Sequence, residues 1–283
     1  GAHKVVMAAV QGHSSSMEVA MWACGTLVHL AGVVDNRVPL VRDGAHAAVM
    51  AVARAHAGDM KVARAACCVL QLLALAADNG VELVRDGAHL ALMTAARDHS
   101  GDRGMAWVVC EALRLLSVHY DTCEPLVRDG AHLTVMAAAR DHGGDVEIVR
   151  AVWGTLRNLA LAPSNSVRLV RDDAHVGAMA AVQDHGGDVE VARAVCDTLR
   201  YLSFTADNAA QLVHADACIA VGAAAVLHTG DVLVARAACG TLINLPRATD
   251  IVGTEEYIEL VRIVRESHPT DATVQDYCRR PGL

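Results

Sequence analysis

Aromatic residues and prolines are scarce in this chain of 283 residues. Aromatics account for 3% of the sequence, Phe204 is its single phenylalanine, and there are six prolines. The hydrophobic fraction is nevertheless 53%, so a core must be built from alanine, valine, leucine, methionine and cysteine. Alanine and leucine are strong helix formers, and small side chains let helices pack closely. The composition therefore predicts an all-α protein.

The sequence also lacks an excess of positive charge, a long apolar run and a paired-cysteine motif. Its formal net charge of −8 argues against a general nucleic-acid binder, which needs lysine and arginine to neutralise phosphates. No apolar run reaches the roughly 20 residues of a bilayer span. Nine cysteines without a CxxC pair do not resemble a secreted disulfide framework. We therefore expect a cytoplasmic protein with no nucleic-acid partner and no membrane span.

A period of 43 residues organises the chain up to residue 250. The tripeptide Gly-Ala-His, or an altered form of it, returns at every step: Gly1–His3, Gly44–His46, Gly87–His89, Gly130–His132, Asp173–His175 and Asp216–Cys218. Two leucine columns keep the same spacing: Leu27, Leu70, Leu113, Leu156, Leu199 and Leu242, and Leu30, Leu73, Leu116, Leu159, Leu202 and Leu245. Such a period indicates a solenoid, in which neighbouring units bury one another's apolar faces.

Each unit is predicted to contain three helices. In the unit from Asn165 to Ala206, a short first helix covers 166–171 and a second covers 175–184, with glycines between the second and third. Asp188 is predicted to cap the third helix, which runs to about residue 203. In the preceding copy, apolar residues at steps of three and four define one helix face: Val149, Val152, Trp153, Leu156, Leu159 and Ala160.

The period, the three-helix layout and several stretches resemble armadillo repeats. The stretches are Asn79–His89, the helix Leu133–His142, the Cys-Gly-Thr-Leu-x-Asn-Leu of Cys239–Leu245, and His268–Cys278. The last is similar to a His-Pro-x-x-x-x-Val-Gln-Glu-x-x-Cys stretch of armadillo arrays in many protist proteins and leucine-rich-repeat kinases. The resemblance implies an all-α, right-handed α-solenoid and a single domain over 1–283. Its repeats would cover about 1–35 (partial), 36–78, 79–121, 122–164, 165–207, 208–250 and 251–283 (degenerate and partial).

The resemblance also implies a groove for a partner along the third helices. In importin-α and β-catenin an asparagine near the end of this helix holds a peptide backbone, and in importin-α a tryptophan lies four residues earlier. The asparagine column here reads His29, Leu72, Leu115, Asn158, Tyr201 and Asn244. The tryptophan column reads Gly25, Cys68, Glu111, Gly154, Asp197 and Gly240. These departures argue against a reader of nuclear localisation signals.

Arginines recur on the predicted third helices. Together with nearby aromatic and amide residues they form the predicted partner-binding set: Arg64, Trp107, Arg114, Arg150, Arg157, Asn158, Arg193, Arg200, Tyr201, Arg236 and Asn244. Guanidinium groups suit carboxylates or phosphates because each can hold two oxygens. The alternative is ordinary pairing within a helix, since Glu147 precedes Arg150, and Glu190 precedes Arg193, by three residues.

Fifteen histidines raise the question of a metal site. The two histidines of one unit are ten residues apart, too far along a helix for one ion to bind both. We expect the Gly-Ala-His histidines to be half-buried packing residues. The other column is expected to donate to the last carbonyls of its own helix, with a pH-sensitive role as the alternative. That column comprises His13, His56, His99, His142, His185 and His228.

Two further columns are expected to be structural. The cysteine column lies on the apolar face of the third helix, where buried cysteine packs as a small hydrophobe: Cys24, Cys67, Cys110, Cys196 and Cys239. Cys68, Cys123 and Cys278 fall outside it. The Arg-Asp pairs are expected to bridge repeats or to face solvent: Arg42 and Asp43, Arg85 and Asp86, Arg128 and Asp129, and Arg171 and Asp172.

The sequence carries no catalytic motif, so we expect no enzyme activity, cofactor or metal. We expect instead a scaffold that binds a protein or peptide, with an acidic partner as one option. Two alternatives stay open: an assembly element of a larger complex, and a regulatory helical arm of a kinase-like enzyme. Because neither end carries a polar cap, we also expect more repeats or domains to adjoin this segment.

Overall fold

The computed structural model describes residues 2–13, 15–215, 217–245 and 255–279. Every regular element in these ranges is helical and none is a strand, which confirms the all-α prediction. Gly1, Asp216, the predicted repeat boundary at 250 and the chain end at Leu283 lie outside the described residues. The chain divides into two compact units, Gly1–Thr155 and Leu156–Leu283. The predicted single domain and its repeat boundaries stay a prediction.

The first unit repeats a pattern of a short, a middle and a long helix. Its helices are α1 (Ala2–Gly12), α2 (Met17–Gly32), α3 (Arg37–Arg42), α4 (Ala45–Ala55), α5 (Met60–Ala74), α6 (Gly80–Arg85), α7 (Ala88–Asp98), α8 (Arg103–Leu116), α9 (Tyr120–Arg128), α10 (Ala131–His142) and α11 (Val146–Ala160), which extends past the end of the unit. The long third helix α5 packs between α2 and α8, and the second helix α7 packs between α4 and α10. Equivalent helices of successive repeats are therefore neighbours.

The second unit follows the same order. Its helices are α12 (Pro163–Arg171), α13 (Gly177–His185), α14 (Val189–Leu202), α15 (Ala206–His214), α16 (Ala217–Leu227), α17 (Val232–Asn244), α18 (Glu255–Ser267) and α19 (Ala272–Tyr277). The third helices α14, α17 and α19 pack in sequence, and α16 packs on both α13 and α18. Since α18 and α19 occupy the places of a second and a third helix, the helical pattern continues beyond residue 254.

Aspartates begin the third helices, as the sequence predicts. The Asp188 carboxylate accepts a hydrogen bond from the backbone N–H of Val191 at 3.0 Å. Ser16 does the same for Val19 in the first copy, and Asp271 caps α19. A side-chain oxygen at this position satisfies one of the free donors of the first turn. The capping column therefore sets where every long helix starts.

A second set of polar side chains ties each third helix to the first helix that follows it. The side-chain amide of Asn79 donates to the carbonyl of Leu73, six residues earlier, at 2.9 Å. Asn36, Asn165 and Asn208 make the same bond, and Thr122 makes it with its hydroxyl. These bonds satisfy carbonyls at the C-terminal ends of the third helices.

The apolar columns form the core. The six residues predicted on one face of α11, from Val149 to Ala160, are all buried, as are the five cysteines of the predicted column. Burial raises the pKa of the Cys67 thiol to about 12. Cys278 was predicted to lie outside the column, and counted from the capping residue Asp271 it stands one position before it. Its sulfur nevertheless lies 3.7 Å from that of Cys239 on the neighbouring helix.

Glycine makes the turn between first and second helices in three repeats. Gly44, Gly87 and Gly130 have φ angles of 85°, 85° and 91°, in the left-handed region that glycine enters without a steric cost. Asp173 replaces this glycine in the next repeat and has φ 62°. There, residues 172–176 stay in turns and α13 begins at Gly177, two residues later than predicted.

Replacing Asp173 by glycine is therefore expected to stabilise the protein. The change removes a side chain from a left-handed position, which is worth about 1 kcal/mol. Thermal or urea unfolding should show a higher free energy of unfolding, with Tm raised by a few degrees. The matched control is Gly87→Asp, which should lose a similar amount. If the Asp173→Gly variant is no more stable than the parent protein, the left-handed backbone conformation of Asp173 costs no stability.

Candidate functional site

One position of the third helices carries Arg64, Trp107 and Arg150 in three successive repeats of the first unit. Arg64 on α5 is 44% exposed, and its guanidinium lies 3.6 Å from the carboxylate of Asp102. The equivalent residue on α8, Trp107, is 37% exposed. Arg150 on α11 donates to Glu147 at 2.6 Å, which is the pairing within a helix that the sequence allowed. The predicted face therefore exists in this unit, with most of its charges already opposed.

Arg114 lies flat on the neighbouring third helix. Its guanidinium donates to both carboxylate oxygens of Glu111, at 2.8 and 2.5 Å, and this pairing raises the pKa of Arg114. Its alkyl stem covers Gly154, where an added Cβ would stand 2.9 Å from the Arg114 Cδ. Gly154 thus leaves room for the Arg114 stem, whereas Gly25, in the same column, has open space around it.

In the second unit the arginines bridge adjacent repeats. Arg193 donates to Glu190 on its own helix at 2.6 Å and also to Asp231, which caps the next third helix. Arg236 makes the equivalent pair with Asp271 at 2.6 Å. The hydrogen bond that Arg193 donates to Asp231 raises the pKa of Arg193, and the one that Arg236 donates to Asp271 holds the pKa of Asp271 at about 2.

Sequence reasoning found the pairs within a helix and missed those between repeats. The same aspartate caps one helix and accepts from an arginine of the preceding repeat, as with Arg193 and Asp231. The sequence did carry a signal, because in both Arg64–Asp102 and Arg193–Asp231 the capping aspartate follows an arginine of the predicted partner-binding set by 38 residues. These arginines therefore serve in large part to link repeats.

The remaining predicted residues of the second unit are engaged with one another or buried. Arg200 donates to Asp197 and to the Tyr201 hydroxyl, both at 2.9 Å, and its guanidinium carbon lies 4.5 Å from the centre of the Tyr201 ring. Its stem covers Gly240, as Arg114 covers Gly154. Arg157 has a long contact of 3.5 Å to Asn158, which is 7% exposed.

Asn244 also serves packing in this structure. Its side-chain amide donates to the hydroxyl of Ser203 at 3.0 Å. In the second unit the two matching asparagines of the column thus lie buried or bonded to the protein, and Tyr201 stacks with Arg200. The most accessible groups of the predicted set are Arg64, Trp107, Arg150 and Arg236.

The Gly-Ala-His histidines link successive repeats, and the prediction of half-buried packing is wrong. His46 and His89 are almost fully buried, and their Nε2 atoms lie 2.9 and 3.0 Å from carboxylates of Asp86 and Asp129 in the next repeat. His3 makes the equivalent contact with Asp43. Each carboxylate also receives a hydrogen bond or a close approach from the arginine beside it in sequence. The hydrogen bonds from Arg128 and His89 hold the pKa of Asp129 at about 2.

The histidines that end the second helices bond to the preceding repeat rather than to their own helix. In the first unit, Nε2 of His99 lies 2.9 Å from the carbonyl oxygen of Ala57, and Nε2 of His142 lies 2.9 Å from that of Ser100. In the second unit His228 makes this contact with Gly186 at 2.6 Å. The predicted bond to the last carbonyls of the same helix is therefore wrong. The turn that ends each second helix exposes carbonyls that the next repeat can reach.

Two equivalent clefts separate the second helices of the first unit. The larger, about 600 Å³, lies between α7 and α10, with Leu90 and Leu133 on its walls and Cys110 in its lining. The smaller, about 380 Å³, lies one repeat earlier, between α4 and α7, and shares Leu90. Sequence reasoning did not anticipate these clefts, because they depend on how far apart neighbouring helices stand.

Within the described residues, no group of three or more histidine, cysteine, aspartate or glutamate side chains could hold a metal ion. Taken singly, none of the helices described is both long and apolar enough to cross a bilayer, although three bent pairs meet those two criteria together.

The fold has clear structural counterparts. No protein-family model and no curated protein matches the sequence. The crystal structure of an engineered protein is similar with a TM-score of 0.71 at 16% identity, over 87% of this chain and 96% of that one. A second engineered protein gives a TM-score of 0.79 at 17% identity, over 99% and 67% of the two chains.

A third counterpart comes from work on a phosphorylation switch that controls the interaction between cadherin and β-catenin. Its TM-score is 0.66 at 16% identity, and this chain, 98% of which is covered, spans 62% of its length. At these identities the likeness concerns the fold alone. The fold defines an all-α protein of helical repeats.

The buried histidine–aspartate links predict a specific acid sensitivity. A folded-state pKa of about 2 for Asp129, against an ordinary value of 3.8, means that its ionised form stabilises the fold above about pH 4. This contribution is lost as the pH falls towards 2. Allowing for solvent screening, Asp129→Asn should cost about 1–2 kcal/mol at pH 7 and little at pH 2.

Urea unfolding across this pH range would measure the effect. Asp121→Asn is the matched control, because it removes the same charge from an exposed aspartate on the same helix, α9. An equal loss at pH 7 and pH 2 for Asp129→Asn would show that the carboxylate charge contributes nothing.

Proposed function

We propose that this chain is an armadillo-type scaffold that binds a protein segment in a groove along the exposed faces of its third helices. The observation that supports this most directly is the regular exposure of equivalent residues, Arg64, Trp107 and Arg150, on consecutive third helices of the first unit. A partner segment can contact such positions one repeat at a time. The similarity to a structure from work on cadherin and β-catenin is consistent with protein binding.

An extended segment with acidic groups fits the first unit best. The Arg64 guanidinium stands 3.6 Å from its nearest carboxylate, beyond hydrogen-bond distance, so it can offer two N–H donors to a ligand. Trp107 offers an apolar surface on the next helix, and a tryptophan in such a place can bind either side chains or backbone. In the second unit, a ligand carboxylate would compete with Asp231 for Arg193 and with Asp271 for Arg236, and these two carboxylates are only 17% and 13% exposed. The competing carboxylate at Arg150, Glu147, is 53% exposed, and such an exposed ion pair is weak, so we assign the acidic contacts chiefly to Arg64 and Arg150.

Catalysis is not part of the proposal. The shifted pKa values belong to thiols, as in Cys67, to groups in ion pairs between and within repeats, as in Asp231 and Arg114, and to His175, whose pKa is lowered by burial. All nine cysteines lie in the part of the chain that the structure describes, and all nine are free thiols. This fits the reducing cytoplasmic location that we propose. A regulatory arm of a larger enzyme would use the same binding faces and would show no turnover by itself.

A second candidate function is assembly with further copies of the chain. Val5 on α1 and Trp22 on α2 are 72% and 73% exposed, and both are large apolar side chains. Such a surface favours association with another apolar surface. Light scattering that shows a concentration-dependent dimer, abolished by Trp22→Ser, would support assembly; a monomer at all concentrations would exclude it.

Selection from a displayed random peptide library would test the scaffold proposal. The expected result is enrichment of acidic peptides, and Arg64→Ala with Arg150→Ala should weaken binding of a selected peptide about tenfold or more. Fluorescence anisotropy would measure the Kd. The control is Arg85→Ala with Arg128→Ala, which removes two exposed arginines from first helices. Equal binding of a selected peptide to the parent protein, the Arg64/Arg150 variant and the Arg85/Arg128 control would show that neither Arg64 nor Arg150 contacts it.

A further inference from the structure

Three consecutive turns of the first unit expose apolar side chains. They lead from a third helix into the next first helix, at residues 33–36, 75–79 and 118–121, and the third includes Tyr120 and Asp121, the first two residues of α9. Val34 is 67% exposed, Leu75 44%, Val118 55% and Tyr120 63%. In a chain with 3% aromatic residues, an exposed tyrosine next to two exposed aliphatic residues is a notable apolar surface.

Hydrogen bonds hold these turns against one another. Nε2 of His119 lies 2.6 Å from the carbonyl oxygen of Ala77, and the side-chain amide of Asn79 donates to the carbonyl of Arg37 at 3.1 Å. An added Cβ at Gly80 would stand 2.7 Å from the His119 ring, so the second and third turns are in direct contact. The exposed apolar side chains thus belong to one continuous edge of the unit.

The same edge carries free negative charge. Each turn contains an exposed aspartate at an equivalent position: Asp35, Asp78 and Asp121. In the described part of the chain these three carboxylates have no ion pair or side-chain hydrogen bond. We call this surface the acidic apolar edge.

Positively charged groups contribute little to the acidic apolar edge. Arg37 is half-buried and its Nε donates to the carbonyl of Ala31 at 3.0 Å. His119 is held by the contact with Ala77. The edge therefore contrasts with the third-helix faces, where arginines such as Arg114 and Arg150 are paired with glutamates of their own helices.

The helix dipole explains the aspartates of the acidic apolar edge but not its exposed apolar side chains. Aspartate in the first turn of a helix interacts favourably with the helix dipole, and this suits Asp35, Asp78 and Asp121. It gives no reason for Leu75, Val118 and Tyr120 to face solvent. Apolar side chains flanked by unpaired carboxylates complement a ligand with an apolar stripe and basic flanks. A membrane with anionic lipids fits less well, because its negative surface potential would repel the edge.

We propose that the acidic apolar edge binds a basic amphipathic helix of a partner protein. The apolar stripe of that helix covers Leu75, Val118 and Tyr120, and its lysines or arginines meet the three aspartates. This surface is separate from the third-helix faces to which we assign an acidic segment, so either proposal can fail without the other.

The test uses the whole chain and a labelled 18-residue amphipathic helix made of leucine and lysine. Fluorescence anisotropy in low salt should show saturable binding that weakens as salt is added, because the ion pairs are exposed. Asp35→Asn with Asp78→Asn and Asp121→Asn should weaken binding about tenfold, given the modest strength of exposed ion pairs. Leu75→Gln with Tyr120→Gln should weaken it at all salt concentrations.

A matched variant controls for total charge. Glu18→Gln with Asp98→Asn and Asp141→Asn removes the same charge from the start of α2 and the ends of α7 and α10, away from the edge, and should leave binding unchanged. Circular dichroism would confirm that every variant is folded.

Five results would overturn the proposal, four of which concern the peptide and its controls. These four are no binding of the leucine–lysine helix, equal binding of a leucine–glutamate helix, an equal loss in the charge-matched control, and binding to phosphatidylserine vesicles in place of the peptide. Dimerisation through the edge that excludes the peptide would also overturn it and would assign the surface to a second copy.

Discussion

Each repeat of this protein leaves polar groups that its neighbour satisfies. A buried histidine such as His89 has its partner, Asp129, in the following repeat. A histidine such as His99 finds a carbonyl in the preceding one. Because an unpaired polar group in a core is costly, two repeats that fail to meet in register lose these bonds together. Side-chain hydrogen bonds therefore fix the register that non-directional packing of alanine, leucine and cysteine leaves loosely specified.

The same dependence between repeats limits which charges are available to a partner. An aspartate that caps a third helix also holds an arginine of the repeat before it, as Asp231 holds Arg193. Much of the positive charge on the third helices is thus opposed within the molecule. The stems of Arg114 and Arg200 lie on glycines, so these two arginines act partly as packing residues. The recognition that we propose therefore rests on the less engaged side chains, Arg64 and Trp107 among them.

Two kinds of surface remain for partners, and they differ in charge. The third-helix face of the first unit offers guanidinium groups and a tryptophan, whereas the acidic apolar edge offers free carboxylates beside aliphatic and aromatic side chains. One repeat generates both, because the third helix exposes its side to one surface and its C-terminal turn to the other. The two segments that we propose as ligands, of opposite charge, would therefore not compete for the same residues.

The sequence by itself determined the helical class, the repeat, the capping aspartates and the buried columns, because these follow from periodicity within one helix or from local backbone chemistry. Only the tertiary structure decided what the polar columns contact. His46 and Arg193 each have partners about forty residues away, in the next repeat. Side-chain periodicity states which face of a helix a residue occupies, but not which group of the adjacent repeat stands opposite. That depends on the distance and register between stacked helices, which packing of the whole unit sets.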